Sequence, residues 1–516
     1  MLGKLEIGRE YSGQELMNRF EEMLKFVEDA YQQRQAAQVV EEGIFRRVLE
    51  IGRLALGLFF ERFGDGDAGE FLVLANGEKV RRLKELHSRE YLSVFGLFER
   101  VRAVYGTREK PKVQWVPLDA QLSLPASKFS YLLQDWDQDL AVDAPFDRVN
   151  EVIEKILGFG QSVNSLERMN RKMSEAVEAF WAQETVRAAD EEGALMVIQA
   201  DGKGVVMRPE SKTTSQDQPV PPPAAPHQGG QENKQGEAGK KKMALVGAVY
   251  TVDPFIRTPE QILEALFRDA TKKEDPPSRP KPLFKHVRAS LLRDARDTMR
   301  PSYEEISGWL AAETQRRNPD GKKPMPCIMD GQDALWVAGA EYFPGLDLIP
   351  ILDIIHVCSY VWDATHLFYD KGTPEAVGFA KERLLRLLKG EVDGVIRGLR
   401  WKGTYEKLTG KALKELEKVC GYFENNGHRM AYDEYLAAGY PIASGVIEGA
   451  CRNIVIDRME HSGMRWVMNG AHAMLGLRCI ELSGGWEEFT RFRIQRECER
   501  LYPGYAANDD YVNKVA

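Results

Sequence analysis

Residues 440–466 read YPIASGVIEGACRNIVIDRMEHSGMRW and place one carboxylate at the start of an amphipathic helix. Ser444 is a favourable N-cap residue, and apolar residues recur at helical spacing over 445–459. Glu448 therefore falls in the first turn of the predicted helix, at the rim of its packing face. Two roles are open for Glu448: a ligand for a metal ion, or an ordinary exposed residue that pairs with Arg452 one turn later.

The composition limits the class of protein. The chain has 516 residues and is 43% apolar, which is enough for several packed domains. A net charge of −8 argues against a protein that coats nucleic acid indiscriminately, but it does not exclude an enzyme that acts on DNA. The six cysteines stand singly, so we expect neither a disulfide framework nor a zinc ribbon. Isolated cysteines of this kind favour a protein of the reducing cytoplasm. We expect neither a signal peptide nor a membrane-spanning segment.

The N-terminal part of the sequence, 1–190, is predicted to be a helix-rich region without catalytic residues. Residues 11–63 have the apolar spacing of two amphipathic helices that pack on each other or on a second copy. Short β-prone segments over 90–115 predict a hairpin, and helical spacing returns over 127–186.

A strand followed by a long polar insertion opens the next region, 191–359. The apolar segment ending in Asp201 is predicted to be a strand, and the apolar pattern resumes at 243–252. The intervening residues 208–242 are rich in proline and glutamine, so we expect a disordered insert at the tip of a β-hairpin. A linker between two domains is the alternative.

Two further strands each end in an aspartate. MPCIMD ends in Asp330 and LIPILD ends in Asp353, and a crossover helix between them predicts that the two strands are parallel. Residues 281–317 are predicted to be helical, as is the region 360–439, which we interpret as an all-helical insertion. The Glu448 helix and two C-terminal helices fill 440–516.

This order predicts an α/β fold with a ribonuclease-H-like core, in which a mixed sheet with flanking helices presents several carboxylates. Asp201, Asp330 and Asp353 stand at predicted strand ends, where α/β sheets bind ligands, and Glu448 follows on a helix. Carboxylates so close together require neutralisation by cations, and we expect Mg²⁺. Two such ions promote attack by water or a 3′-hydroxyl on a phosphodiester, which is the chemistry we infer.

Three segments resemble one protein family. ADGKGVVM, LDIIHV and above all GYPIASGVIEGACRNIVIDRMEHSGMRW are similar to the DDE transposases of bacterial insertion sequences, in particular the Kra group. The resemblance covers roughly residues 110–505. Relatives often contain a cysteine-rich finger before the catalytic sheet, and this chain has no cysteine there, so any DNA recognition in that part proceeds without zinc.

The resemblance implies a set of catalytic and metal-binding residues. Asp201 is then the first acid and Glu448 the last, and Asp330 or Asp353 is the second, with Asp330 preferred because Asp353-x-x-His356 matches a separate element of such enzymes. Asp353 is well placed to cap the following helix and orient His356. His356 then orients the site or supports the insertion, or is simply a buried histidine. Asp201, Asp330 and Glu448 would bind Mg²⁺, for which Mn²⁺ can substitute.

The implied partner is double-stranded DNA, as terminal inverted repeats and as target. Arg452, Arg458 and Arg465 are expected to contact phosphates, and Trp466 either stacks on an unpaired base or belongs to the core. Residues 1–190 are expected to bind DNA ends or to oligomerise, in a homodimer or higher assembly associated with the bacterial nucleoid. A nuclease of the same fold that only hydrolyses, and a non-catalytic DNA-binding descendant, are the alternatives.

Overall fold

The computed structural model of the chain divides into two compact units. One comprises residues 1–182 and 485–516, and the other comprises 183–484. The structure describes residues 11–107, 113–183, 191–208, 241–268, 279–291, 302–343, 345–460 and 463–504. Residues 209–240, nearly all of the predicted disordered insert, lie outside this described part. The predicted boundaries differ from this division, since they placed all of 440–516 in the catalytic core.

The first unit begins with two antiparallel helices, as the sequence predicts. These are α1 (Gly13–Gln32) and α2 (Ala37–Glu61), joined by a four-residue turn. Five short strands follow: β1 (Phe71–Val73), β2 (Lys79–Arg82), β3 (His87–Ser93), β4 (Gly96–Arg102) and β5 (Tyr105–Gly106). Strands β3 and β4 form the predicted hairpin, whereas the sheet β1-β2-β5 was not predicted.

Helices complete the first unit. They are α3 (Pro117–Gln121), α4 (Tyr131–Asp143), α5 (Phe146–Leu157), α6 (Val163–Ser174) and α7 (Val177–Ala182). Helix α5 lies in the segment predicted to be helical, and it buries Val149, Ile153 and Leu157. The C-terminal helix α18 (Trp486–Leu501) packs on α4 and α7, which is why the last residues belong to this unit.

A five-stranded mixed sheet organises the second unit. Its strands are β6 (Leu195–Val206), β7 (Lys241–Val252), β8 (Leu283–Leu291), β9 (Met325–Met329) and β10 (Leu348–Leu352), in the order β10-β9-β6-β7-β8. Strands β6, β9 and β10 are parallel, and β7 is antiparallel to both β6 and β8. The predicted hairpin is confirmed, because β6 and β7 pair from Leu195 to Val206.

Helices cover both faces of the sheet. They are α8 (Pro259–Leu266), α9 (Ser302–Arg317), α10 (Asp333–Tyr342), α11 (Ile354–Thr365), α12 (Pro374–Leu388), α13 (Val392–Tyr405), α14 (Gly410–Asn426), α15 (Tyr432–Ala437), α16 (Gly445–Cys451) and α17 (Met468–Leu482). A 3-10 turn spans Gly427–Arg429, and a π-helix, Arg452–Glu460, continues α16. The predicted α/β class is thus confirmed as a mixed sheet with flanking helices.

Strand alternation divides the core into two layers. Val197 and Ile351 face α11 and the helices that follow it, whereas Met196 and Cys327 face α9 and α10. Since successive side chains of a strand point to opposite faces, one apolar strand serves both layers. This explains why β6 and β9 read as continuous apolar runs.

Two predictions about elements were wrong. Residues 283–291 form strand β8 and not a helix, because this segment pairs antiparallel with β7 and buries Val287, Ser290 and Leu291. Asp201 does not end its strand, since β6 continues five residues beyond it by pairing with β7. Within the described residues, no helix is both long and apolar enough to cross a membrane.

Candidate active site

The register of the parallel strands aligns three aspartates. Ala200 pairs with Met329, and Met329 pairs with Leu352. The next residue along each strand is Asp201, Asp330 and Asp353, so the three acids stand side by side at one edge. Asp201 lies at this edge of the parallel strands although β6 continues past it, because the parallel neighbour β9 ends at the same level.

Asp353 is buried and fully engaged by hydrogen-bond donors. It is the N-cap of α11, as predicted, and its Oδ1 accepts the backbone N–H groups of Ile355 at 3.2 Å and Ser444 at 3.0 Å. Its Oδ2 accepts from the Ser444 hydroxyl at 2.8 Å and lies 2.7 Å from His356 Nδ1. Burial alone would raise the pKa of Asp353, but these hydrogen bonds outweigh burial and lower it.

His356 is held by that carboxylate in a half-exposed position. The hydrogen bond to Asp353 is the main reason that the pKa of His356 is raised, and the charges of Asp330 and Asp201 raise it further. The imidazole therefore lies within electrostatic reach of all three acids. A protonated imidazole here partly offsets their repulsion.

Asp330 lies in the opposite environment. Its pKa is raised, first by burial and then by the neighbouring charges of Asp201 and Asp353. The backbone N–H of Gln332 donates to its Oδ1 at 2.9 Å, and no other donor reaches its carboxylate among the described contacts. An added cation would remove the repulsion that raises this pKa.

Gln199 and Ser444 dock the Glu448 helix on the sheet. The sequence analysis missed Gln199 and predicted Ser444 only as the N-cap of this helix. Gln199 is fully buried on β6, and its side-chain oxygen accepts the backbone N–H of Ile447 at 2.9 Å. The Ser444 hydroxyl lies 3.1 Å from Glu448 Oε1 as well as against Asp353, so it makes no N-cap bond to α16. A glutamine inside the apolar run ALMVIQAD was the available signal for Gln199.

Glu448 and Asp201 both act electrostatically on one cysteine, Cys451. The Cys451 thiol is one turn after Glu448 and hydrogen-bonds to Asp201. Burial is the main cause of the raised pKa of Cys451, and the charges of Asp201 and Glu448 add to it. Glu448 does not pair with Arg452, whose guanidinium lies 3.6 Å from Asp457 instead.

The most closely spaced group of potential ligands differs from the predicted set. Within the described residues, ligand atoms of Asp353, His356 and Glu448 all lie within 4.8 Å of one another. Asp201 and Asp330, which the sequence analysis grouped with Glu448, are not part of this group. Asp353 already accepts four hydrogen bonds, so its oxygens are committed to the protein.

An aromatic side chain of the helical insertion packs beside Asp330. A Cβ atom on Gly331 would lie 2.3 Å from the Tyr422 ring, so the α14 tyrosine occupies the space beside this glycine. Tyr422 stacks on Tyr360 of α11 with ring centroids 3.7 Å apart. Trp336 donates from Nε1 to the Asp330 carbonyl oxygen at 2.6 Å. These aromatic side chains shape one wall of the site.

The predicted DNA-contacting residues divide into two pairs. Arg452 and Arg465 are exposed, as a phosphate contact requires. Arg458 is 1% exposed, and its guanidinium lies over the Trp466 ring, 5.1 Å from the centroid. Trp466 is also buried and donates to the Met459 carbonyl. This structure therefore places Arg458 and Trp466 in the core, where neither reaches DNA.

Comparison of the chain with models of protein families and with curated proteins found no match in either set.

Proposed function

We propose that this protein is a DDE transposase that cleaves DNA at the ends of its own element and joins the freed 3′-hydroxyl to target DNA. The observation that carries the proposal is the alignment of Asp201 with Asp330 beside the helix that presents Glu448. The reaction is inferred from the motif resemblance, and the catalytic acids are inferred from the register of the parallel strands.

A ribonuclease-H-like core is the fold that we propose for the second unit. A central parallel strand with Asp201, an antiparallel second strand and a neighbouring parallel strand ending at Asp330 support it. The helical segments between α11 and α15 fall between the second acid and Glu448, where the resemblance expects an insertion.

The donor set fits a hard divalent cation. Asp201, Asp330 and Glu448 offer carboxylate oxygens, which Mg²⁺ prefers to nitrogen. His356 offers a nitrogen atom, and the oxygens of Asp353 already accept four hydrogen bonds. Neither residue is therefore a favourable Mg²⁺ ligand. The bound ions, Mg²⁺ or Mn²⁺, would activate the attacking oxygen and stabilise the leaving oxygen.

The remaining side chains position these acids. Asp353 ties the start of α11 to Ser444, and Ser444 in turn contacts Glu448, so one buried carboxylate sets the place of the catalytic helix. Gln199 anchors the same helix to β6 two residues before Asp201. When protonated, His356 would provide positive charge next to the acids, suited to holding a scissile phosphate.

The proposed partners are double-stranded DNA with terminal inverted repeats, target DNA and a second copy of the chain, in the bacterial nucleoid. Exposed Arg452 and Arg465 remain candidates for phosphate contacts.

The test uses DNA that carries the inverted repeats flanking the gene, incubated with the protein and Mg²⁺. We expect cleavage at the repeat ends and strand transfer, both lost without Mg²⁺ and in Asp201→Asn with DNA binding retained. Cleavage without strand transfer would identify a nuclease that only hydrolyses. Repeat binding by the wild type without any cleavage would identify a non-catalytic descendant, and either result would overturn the proposal.

A further inference from the structure

The first unit contains an open cavity whose wall is mostly polar and charged. Its volume is about 470 Å³, and it is lined by Arg89, Glu90, Arg102, Ala126, Ser127 and Lys128. Of these six residues, Ala126 alone is apolar. Pockets for drug-like ligands are lined predominantly by hydrophobic and aromatic side chains. This cavity is therefore suited to a charged ligand.

Both arginines of the cavity come from the β3–β4 hairpin. Arg89 is the cross-strand partner of Arg100, and Arg102 follows Arg100 by two residues, so the three side chains lie on one face. Arg100 is balanced by Glu61, whose Oε1 lies 2.8 Å from its Nη1. Like charges on neighbouring strands repel each other, so the other two arginines also require an anion.

One carboxylate, that of Asp119, serves both remaining arginines. Its Oδ2 accepts from Nη1 of Arg89 at 2.6 Å and from Nη1 of Arg102. A single carboxylate between two guanidinium groups leaves one positive charge in excess. The exposed pair of Lys128 and Glu90, 2.7 Å apart, adds no net charge. The cavity therefore has a net positive wall, although the whole chain has a net charge of −8.

Within the described part of the chain, Arg102 has N–H groups left over for a ligand. Arg89 uses both of its Nη atoms, since Nη2 donates to the carbonyl oxygens of Pro125 and Ser127. Arg102 makes only its Nη1 contact to Asp119 among the described residues, and its Nε is buried without a partner. A guanidinium presents its N–H groups as a planar fork that matches two oxygens of a phosphate.

We propose that this cavity binds a phosphate group, with Arg102 as the principal donor and Arg89 beside it as a second positive charge. A phosphate has more charge and more acceptor oxygens than a carboxylate, which suits two guanidinium groups on one wall. Asp119 positions both arginines. The site does not depend on the acids of the second unit. Only the source of the phosphate, which we expect to be the DNA backbone, rests on the proposed function.

The first test titrates the full-length protein with inorganic phosphate at constant ionic strength, without DNA or divalent metal, and follows the phosphorus NMR signal of the phosphate. We expect the wild type to broaden this signal, and Arg102→Gln to bind about tenfold more weakly or worse, because a charged donor is lost. Arg81→Gln is the matched control, since Arg81 of β2 is an arginine whose side chain is 46% exposed. It should bind phosphate as the wild type does. An unchanged signal with the wild type, or unchanged binding by Arg102→Gln, would overturn the proposal.

A second variant leaves the ion pairs of Asp119 intact. Ala126 is exposed and lines the cavity, so Ala126→Glu adds a carboxylate to the wall without removing a side-chain contact. We expect Ala126→Glu to weaken phosphate binding several-fold at low ionic strength, by charge repulsion. Ala126→Gln has nearly the same size without the charge and should bind more tightly than Ala126→Glu. Equal binding by these two variants would overturn the proposal.

Competition identifies the source of the phosphate group. DNA without the terminal repeats is added to the protein in the presence of inorganic phosphate. We expect the DNA to displace the phosphate and sharpen its signal, because backbone phosphates present the same kind of oxygens. A signal that stays broad would overturn the assignment to DNA and identify a site for a free phosphate compound. Binding of inorganic phosphate requires neither cleavage nor strand transfer, so failure of the proposed activity leaves it unaffected.

Discussion

The ends of β9 and β10 place two aspartates side by side in opposite environments. Asp330 has one backbone donor and acidic neighbours, and its pKa is raised. Asp353 is more deeply buried, yet four hydrogen bonds lower its pKa. The number of donors that reach a carboxylate therefore decides its ionisation more than burial does. Asp330 is left open to bind a cation, whereas Asp353 is committed to holding the fold of the site.

The largest effect should come from Asp330→Asn. Losing a metal-binding charge should lower cleavage of repeat-end DNA about a thousandfold or more, with DNA binding retained. Asp333→Asn is the control, because Asp333 is an exposed acid in the first turn of α10. Gel-based cleavage and binding assays measure both. A variant with near-normal cleavage would remove Asp330 from the proposed site.

Asp353→Asn should reduce cleavage about 10–100-fold, as expected of a group that orients others. The amide keeps one oxygen for the Ile355 and Ser444 N–H groups, but it no longer raises the pKa of His356, which NMR titration of the imidazole should show returning toward its usual range.

The stability of Asp353→Asn has its own pH signature. Because the pKa of Asp353 is lowered in the folded state, its contribution is full above the unfolded pKa and is lost as pH falls through the folded pKa. Thermal melting should therefore show the variant destabilised at neutral pH and the difference shrinking in acid. If Asp353→Asn abolished cleavage and Asp330→Asn only reduced it, Asp353 would be the second catalytic acid and Asp330 the positioning residue.

Asp137 shows what burial does when donors are few. Among the described residues, only the Gln161 side chain donates to it and its buried Oδ1 has no partner, and burial raises its pKa to about 7. Its ionisation therefore costs stability as pH rises from the unfolded pKa towards 7. Asp137→Asn should raise the melting temperature by a few degrees at pH 8 and not at pH 4. Exposed Glu151→Gln should change neither, and an unchanged Asp137→Asn melting curve at pH 8 would contradict this account.

The smallest expected effect distinguishes an exposed arginine, Arg452, from a buried one, Arg458. Arg452→Ala should weaken DNA binding a few-fold and lower the salt dependence by about one phosphate contact, without changing the melting temperature. Arg458→Ala should instead lower the melting temperature, because that side chain is buried against Trp466. Fluorescence anisotropy over a salt series, together with thermal melting, measures both. Equal effects on binding would return Arg458 to the DNA-contacting set.

Much of the fold could be predicted from local pattern. The helices α1 and α2, the β6–β7 hairpin and the parallel pair β9–β10 were all predicted, because apolar periodicity and strand-ending aspartates are properties of short segments. Strand β8 was mistaken for a helix, since its sequence shows no clear alternation and its strand conformation depends on pairing with β7.

By itself, the sequence determined which acids are available and their order along the chain: Asp201, Asp330, Asp353 and then Glu448. Only the tertiary structure decided their environments, because the donors to Asp353 come partly from Ser444, 91 residues away in sequence. The same holds for Arg458 and Trp466, which look like DNA contacts in the sequence and are buried once the chain folds. Local pattern determines which groups can act, whereas long-range packing decides which of them remain open to do so.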